Sequence, residues 1–299
     1  MQTEDPVSEM GDIFQLMVIE MLRKLIKSDS QHKATLMPII FAMSQSKSSS
    51  VLFECASTIT QLTTAPSAIR VAIQSFIKLL TESNENNVKV IVLEQLMDLR
   101  KRYSKVLEDF TIDVLSVMRD DSAISHEIAS KVLELATALV SPRNIKEVIA
   151  FLEKEISRAC KMESDSNAST TNQYRYLLIK SISGITQQYP ETIPAVLTPL
   201  IENFLRFEGK STFPSLETIL FIREVIEVHT EHRAQVFQKL CTEFQKIKSH
   251  LVLRVALWII GEYAFETQEA QQAFACVKRN VGSLPIYPPL STDAPEDVV

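Results

Sequence analysis

The strongest candidates for metal chemistry are two histidines in the segment EVHTEHR. His229 and His232 are three residues apart, with Glu227 and Glu231 beside them. On a helix, this spacing can bring two imidazoles to one zinc ion. However, the segment falls at a predicted turn between two helices, and no third His or Cys is near in sequence. The pattern therefore favours a solvated turn over a metal site.

Other patterns also lack a group that catalysis would need. His126-Glu127 begins like HExxH, but the second histidine is missing. Asp120-Asp121 lies at a predicted helix start, where negative charge suits the helix dipole. No GxSxG occurs, and the five glycines are too scattered to form a phosphate-binding loop. The sequence therefore predicts a protein that is not an enzyme, with no catalytic residue, metal or cofactor.

Charge and cysteine usage narrow the class further. The net charge of −6 argues against a nucleic-acid partner, because phosphate binding depends on excess Lys and Arg. The four cysteines form no CxxC pair, which is typical of buried free thiols in a reducing compartment. No signal peptide and no apolar run of about 18 residues is visible. We therefore expect a cytoplasmic protein.

One basic cluster allows two interpretations. Arg100, Lys101 and Arg102, with Lys105 close by, lie at a predicted helix carboxyl end. There they would bind terminal carbonyls and complement the helix dipole, which is the favoured interpretation. The alternative is contact with an acidic partner or with anionic lipid head groups.

The elements that carry these residues are all predicted to be helices. The stretch from 49 to 103 contains a helix, a turn at Ala65-Pro66, a second helix, another turn and a third helix. Val51 and Val88 each follow a polar pair that can cap a helix, so the third helix resembles the first. Such a hairpin cannot bury its apolar face alone and needs copies stacked on it.

The first apolar residue of each second helix recurs at an almost constant interval. Successive spacings are 37, 36, 50, 39 and 38 residues for Val51, Val88, Ile124, Tyr174, Phe213 and Leu251. The long interval contains the polar tract 161–173, which we interpret as a mobile insertion. A two-helix period of about 37 lies close to the range of HEAT and armadillo repeats. We therefore predict an all-α fold: a curved α-solenoid of stacked HEAT/armadillo-like helical hairpins over residues 1–282, followed by a Pro-rich acidic tail, 283–299.

Three segments carry more specific expectations. Residues 12–27 form a helix that is apolar on nearly every side, so we expect the neighbour that covers it to lie in sequence not present here. Residues 105–119 are predicted to be one helix. The segment RVALWIIGEY, 254–263, is predicted to pack in the core, with Gly261 permitting a close helix contact.

In solenoids the second helices usually line the surface that binds other proteins. On the helix from 87 to 103, Gln95, Asp98 and Arg102 fall at spacings of three and four and form one polar stripe. We predict that this stripe contacts a partner protein.

Several segments resemble one known family. In the same order, APSAIRVAIQSFIKLL, NNVKVIVLEQLMDL, SPRNIKEVIAFLEKEI and RVALWIIGEY are similar to the trunk of coatomer beta subunits, from the coat of COPI vesicles. The resemblance runs from about Asp12 to about Ile286 and includes the polar insertion, although Phe53 stands where the family commonly has Tyr. It implies the second half of the trunk.

The resemblance also implies a function and a set of partners. The chain would be a structural scaffold subunit of the COPI coat in Golgi-to-ER retrograde vesicle transport. It would bind the longin-like domain of the delta coat subunit, contact other coatomer subunits, and meet an Arf-family GTPase through the missing amino-terminal half. Its place would be the cytoplasm, peripheral on Golgi membranes and COPI vesicles, with membrane association only through the coat.

Two alternatives stay open. The WIIGEY text also resembles large adaptins, which implies the trunk of a clathrin-type adaptor. A HEAT-repeat transport receptor or phosphatase scaffold would instead bind nuclear signal peptides or a phosphatase subunit, and a pull-down would separate these classes.

Overall fold

A computed structural model describes residues 11–119, 125–161, 168–204 and 213–282. The α-helices in these ranges are α1 (Asp12–Ser28), α2 (Lys33–Met43), α3 (Ser49–Leu62), α4 (Pro66–Glu82), α5 (Asn86–Leu107), α6 (Thr111–Ser116), α7 (His126–Ala138), α8 (Ile145–Lys161), α9 (Ala168–Gln188), α10 (Ile193–Phe204), α11 (Phe213–Val228), α12 (Arg233–Glu243), α13 (His250–Glu262) and α14 (Thr267–Val281). Short 3-10 segments join several of them, and none of the described residues lies in a β-strand. The all-α prediction is confirmed.

Helix α4 shows how the sequence specifies these elements. Pro66 occupies its first turn, where a missing N–H costs nothing. Ile69, Ile73, Phe76 and Leu80 follow at helical spacing, and all four are buried. Each such side chain stabilises the fold by about 1.5–3 kcal/mol through the apolar surface removed from water. Burial of this apolar side in the core therefore stabilises the helix.

Contacts divide the chain into two compact units. The first comprises Met1–Lys154 and Lys180–Gln188, and the second Glu155–Ile179 and Tyr189–Val299. In the first unit, α4 packs on α3, α5 and α6, while α1 packs on α3 and α5 on α7. In the second unit, α10 packs on α11 and α12, α11 on α13, and α14 on α12 and α13.

Among α1–α7 in the first unit and α10–α14 in the second, the packed helices are neighbours in the chain or are separated by one helix. This is the arrangement of stacked HEAT-like hairpins, and it confirms the solenoid prediction. The assignment of residues 1–282 to one continuous solenoid domain stays a prediction.

Ion pairs between consecutive repeats confirm the predicted period. Lys131 Nζ on α7 lies 2.9 Å from Glu94 Oε1 on α5, and these residues are 37 positions apart. In the second unit, Lys239 on α12 bonds Glu202 on α10, also 37 positions apart. Each pair joins equivalent helices of two neighbouring hairpins, so the sequence interval measures one structural repeat.

The predicted loop at 161–173 is wrong at both of its ends. Helix α8 extends to Lys161 and α9 begins at Ala168, while residues 162–167 lie outside the described ranges. The sequence predicts a loop there because the tract lacks an apolar period. Asn172, however, is buried and accepts a hydrogen bond from Arg175, which also donates to the Ala159 carbonyl on α8. Tertiary contacts therefore stabilise a polar turn of helix. The tail 283–299 also lies outside the described residues.

The single helix predicted over 105–119 is divided. Helix α5 has a non-helical residue at Tyr103 (φ −132°, ψ 41°), and a 3-10 segment, Glu108–Phe110, separates it from α6. Asn144 donates hydrogen bonds to the Glu108 carbonyl and to Thr111 Oγ1. Asn144 therefore bonds one backbone carbonyl and one side-chain hydroxyl at the break between α5 and α6.

Candidate partner-binding site

The predicted stripe lies on the surface of α5 in the first unit. Asp98 and Arg102 are exposed and Gln95 is half-buried. Ile91, one turn before Gln95, is 49% exposed and adds an apolar member that the sequence analysis missed. Ile91 lies four residues before Gln95, and this helical spacing could have predicted that it belongs to the same stripe. That this surface binds a partner stays a prediction.

Charge on the stripe is arranged around Asp98. Lys101 Nζ donates a hydrogen bond of 2.8 Å to Asp98 Oδ1. This bond, with the attraction of Lys101 and Arg102, lowers the pKa of the Asp98 carboxyl. Lys101 therefore bonds a side-chain carboxylate, while the non-helical Tyr103 ends a helical run directly after the basic cluster. That the cluster complements the dipole of this run stays a prediction.

The Glu94–Lys131 pair holds the stripe next to α7. Its hydrogen bond raises the pKa of Lys131, so the ammonium is held more firmly in its charged form. Both side chains of this pair therefore have a partner within the first unit.

The histidine segment is a turn, as predicted. His229 precedes a 3-10 segment, Thr230–His232, which His232 ends, and the two ring centroids are 6.4 Å apart. His229 Nδ1 lies 3.5 Å from Glu231 Oε1. Across the part of the chain that the structure describes, no group of three or more His, Cys, Asp or Glu could hold a metal ion.

Cys55 and Cys276 are packing residues. Cys55 is buried, and burial raises the pKa of its thiol to about 12. Cys276 Sγ on α14 donates a hydrogen bond of 2.9 Å to the Cys241 carbonyl on α12. The prediction of buried free thiols is confirmed for Cys55 and Cys276.

Helix α1 has one buried side and one apolar side in solvent. Ile19, Leu22 and Ile26 are buried, and α1 packs on α2 and α3. The large apolar side chains that remain exposed are Ile13, Phe14, Met17, Met21 and Leu25. That a further repeat covers this side stays a prediction.

The core prediction for RVALWIIGEY is only half correct. Ile260 and Tyr263 are buried, whereas Leu257 is 37% exposed and Trp258 44% exposed. A Cβ added at Gly261 would meet no atom within 4 Å, so Gly261 makes no close helix contact. Helix α13 is apolar on most sides, and periodicity alone does not show which side the fold buries.

Replacing Gly261 with alanine is expected to raise the free energy of unfolding by about 0.5–1 kcal/mol, because alanine favours helix and the added methyl group has space. Gly282, whose φ is +84°, is the matched control: alanine there is strained and lowers stability. Urea unfolding followed by circular dichroism measures both. A Gly261→Ala variant less stable than the parent chain contradicts the open environment.

The stacked helical hairpins place the chain among α-solenoid proteins, and its similarity to known proteins identifies the family. The model of the adaptin N-terminal region matches residues 3–287, and the chain belongs to this family. Within it, the chain is similar to coatomer beta subunits. It is 34% identical to coatomer subunit beta of Dictyostelium discoideum over 281 residues, which is 94% of this chain and 30% of the relative.

Two more relatives give the same result. Coatomer subunit beta of Sus scrofa is 33% identical over 284 residues, which is 94% of this chain and 29% of the relative. Coatomer subunit beta-2 of Arabidopsis thaliana is 32% identical over 284 residues, which is 95% of this chain and 29% of the relative. The chain therefore spans less than a third of the length of these curated relatives. Among the described helices, none has both the length and the hydropathy that crossing a bilayer requires.

Proposed function

We propose that the chain is a section of a structural scaffold subunit of the COPI coat, acting in Golgi-to-ER retrograde vesicle transport. The observation that carries this proposal is similarity to coatomer beta subunits over 94% of the chain. The stacked hairpins support it, because repeats of this kind form extended binding surfaces for other proteins.

The proposed partner of this section is the longin-like domain of the delta coat subunit. The stripe of Gln95, Asp98 and Arg102, with Ile91 at its end, is the proposed contact surface. It combines an exposed apolar residue with both signs of charge, and the ion pair between α5 and α7 fixes its position. A surface held in place before binding loses little conformational freedom when the complex forms.

The rest of the proposal concerns the whole coat. Other coatomer subunits are further partners, and an Arf-family GTPase binds mainly through the amino-terminal part of the trunk. The protein acts in the cytoplasm, peripheral on Golgi membranes and COPI vesicles, and meets the membrane only through the coat.

Co-expression of the chain with a delta-type longin-like domain tests the proposal. We expect the two to co-elute in size-exclusion chromatography and to bind in isothermal titration calorimetry. Separate elution, with no heat of binding between the folded proteins, contradicts the proposed partner and counts against the coat function.

The Asp98→Lys variant tests the contact surface. It places a third cation beside Lys101 and Arg102. We expect the longin-like domain to bind at least about tenfold more weakly, because a partner surface that matches Asp98 would meet a charge of the wrong sign. The matched control is Glu82→Lys at the exposed end of α4, which should bind as the parent chain does. Equal affinity of the Asp98→Lys variant and the parent would exclude the stripe from the interface.

A further inference from the structure

The outward side of α13 carries a stripe of side chains that the fold does not bury. The stripe consists of Arg254, Leu257, Trp258 and Gly261, which follow one another at i, i+3, i+4 and i+7 and share one side of the helix. Trp258 is the only tryptophan of the chain. Tryptophan and arginine are enriched among the residues that carry most of the binding energy of protein–protein interfaces.

Trp258 is held in place by its neighbours. The Arg223 guanidinium on α11 lies 4.9 Å from the Trp258 ring centroid, and Arg223 Nε donates a 2.7 Å hydrogen bond to Glu227 Oε1. The buried Tyr263 ring meets the indole edge-on at 6.2 Å and 84°. An aromatic side chain fixed in this way loses little conformational entropy when a partner covers it.

Gly261 has no internal reason to be glycine. Its φ lies outside the left-handed region, and an added Cβ would meet nothing within 4 Å. Glycine in a helix is less stable than alanine, so the fold alone gains nothing from it. Missing side-chain volume next to Trp258 leaves a notch on the exposed surface, where the backbone of another molecule can approach closely.

The stripe has opposite charges at its two ends. Arg254 lies at one end and Glu262 beside the other, about 12 Å apart along the axis. Both are exposed, and within the described ranges neither makes an ion pair or side-chain hydrogen bond. A ligand that matches this surface needs an acidic group, an apolar side and a basic group in that order.

From these observations we infer that the α13 stripe is a docking surface for an amphipathic α-helix of the longin-like domain that we propose as the partner. The inference rests on the proposed function and adds a binding surface in the second unit. The partner helix packs its apolar side on Leu257 and Trp258 and brings its backbone close to α13 at Gly261. Its carboxylate pairs with Arg254 and its cation with Glu262. A helix fits because the stripe follows one straight axis for two turns and ends in complementary charges.

The lone tryptophan reports directly on this surface. The full chain is titrated with a longin-like domain of a delta coat subunit in which any tryptophan is replaced by phenylalanine. Complex formation is followed by calorimetry, and Trp258 by its fluorescence. We expect the emission to shift to shorter wavelength as the domain covers the indole. We also expect Trp258→Ala to bind at least about tenfold more weakly.

Gly261→Leu separates binding from folding. The leucine fills the notch while favouring helix, so the variant is expected to fold at least as well as the parent and to bind at least about tenfold more weakly. Gln238→Leu, which places the same side chain at an exposed position of α12, is the matched control and should bind normally.

The possible outcomes are distinct. If the parent chain binds while its emission stays constant and both variants bind equally well, the docking inference is overturned and the proposed function stands. If the parent does not bind, both are overturned. If the emission shifts as the chain alone is concentrated and forms a dimer, the stripe joins two copies of this chain and the inference is also overturned.

Discussion

The Arg175→Ala variant is expected to lose about 3 kcal/mol of unfolding free energy, because a fully buried guanidinium and its hydrogen bonds disappear together. Arg175 is 1% exposed. Its Nε and Nη2 donate bonds of 3.0 and 2.7 Å to the Ala159 carbonyl on α8, and Nη1 donates a bond of 3.2 Å to Asn172 Oδ1. Alanine leaves the Ala159 carbonyl without these donors and opens a cavity between α8 and α9.

The midpoint of urea unfolding, followed by circular dichroism, measures this effect. Arg175→Lys keeps the charge but not the planar fork, so its stability should fall between those of the parent and the alanine variant. Arg254→Ala removes an exposed guanidinium and should change stability by no more than about 0.5 kcal/mol. If Arg175→Ala unfolded at the same urea concentration as that control, the buried bonds would contribute nothing to stability.

The Arg175 cluster also shows where sequence reasoning failed. The repeat interval predicts a helix that begins near Tyr174, and α9 contains that residue. The preceding turn, which includes Asn172, reads as a loop because it carries only polar side chains. Arg175 bonds both Asn172 and the Ala159 carbonyl on α8, and no local pattern encodes a partner on another helix.

The repeat itself was predictable because it is local. Each hairpin contacts its neighbours in the chain, so one spacing of about 37 residues fixes both the sequence period and the packing partner. The Glu94–Lys131 hydrogen bond joins two residues 37 positions apart, so packing in the structure follows the same interval as the sequence.

The candidate surfaces were only partly predictable. The stripe at Asp98 was found because polar residues at helical spacing stand out on an amphipathic helix. Trp258 was assigned to the core because α13 offers several apolar sides. Its exposure depends on how α11 and α13 pack, and therefore on residues distant in sequence.

The Asn144→Ala variant is expected to lose about 2 kcal/mol of unfolding free energy, since one side chain joins three segments of the first unit. Asn144 Nδ2 lies 3.2 Å from the Glu108 carbonyl and 3.0 Å from the Leu139 carbonyl. Its Oδ1 accepts a 2.8 Å bond from the Ser141 backbone N–H. Alanine removes every one of these bonds and leaves the Ser141 N–H without this partner, while the Glu108 carbonyl keeps its bonds from Thr111. Urea unfolding gives the loss.

Two further variants show whether the bonds, and not the side-chain volume, cause the loss. Asn203 Nδ2 bonds only the Pro199 carbonyl within its own helix, so Asn203→Ala should cost clearly less. Asn144→Asp keeps the acceptor for the Ser141 N–H but loses both donors to the carbonyls, so it should also be less stable than the parent chain. If Asn144→Ala were no less stable than Asn203→Ala, the bonds of Asn144 would contribute little, and packing alone would stabilise the break between α5 and α6.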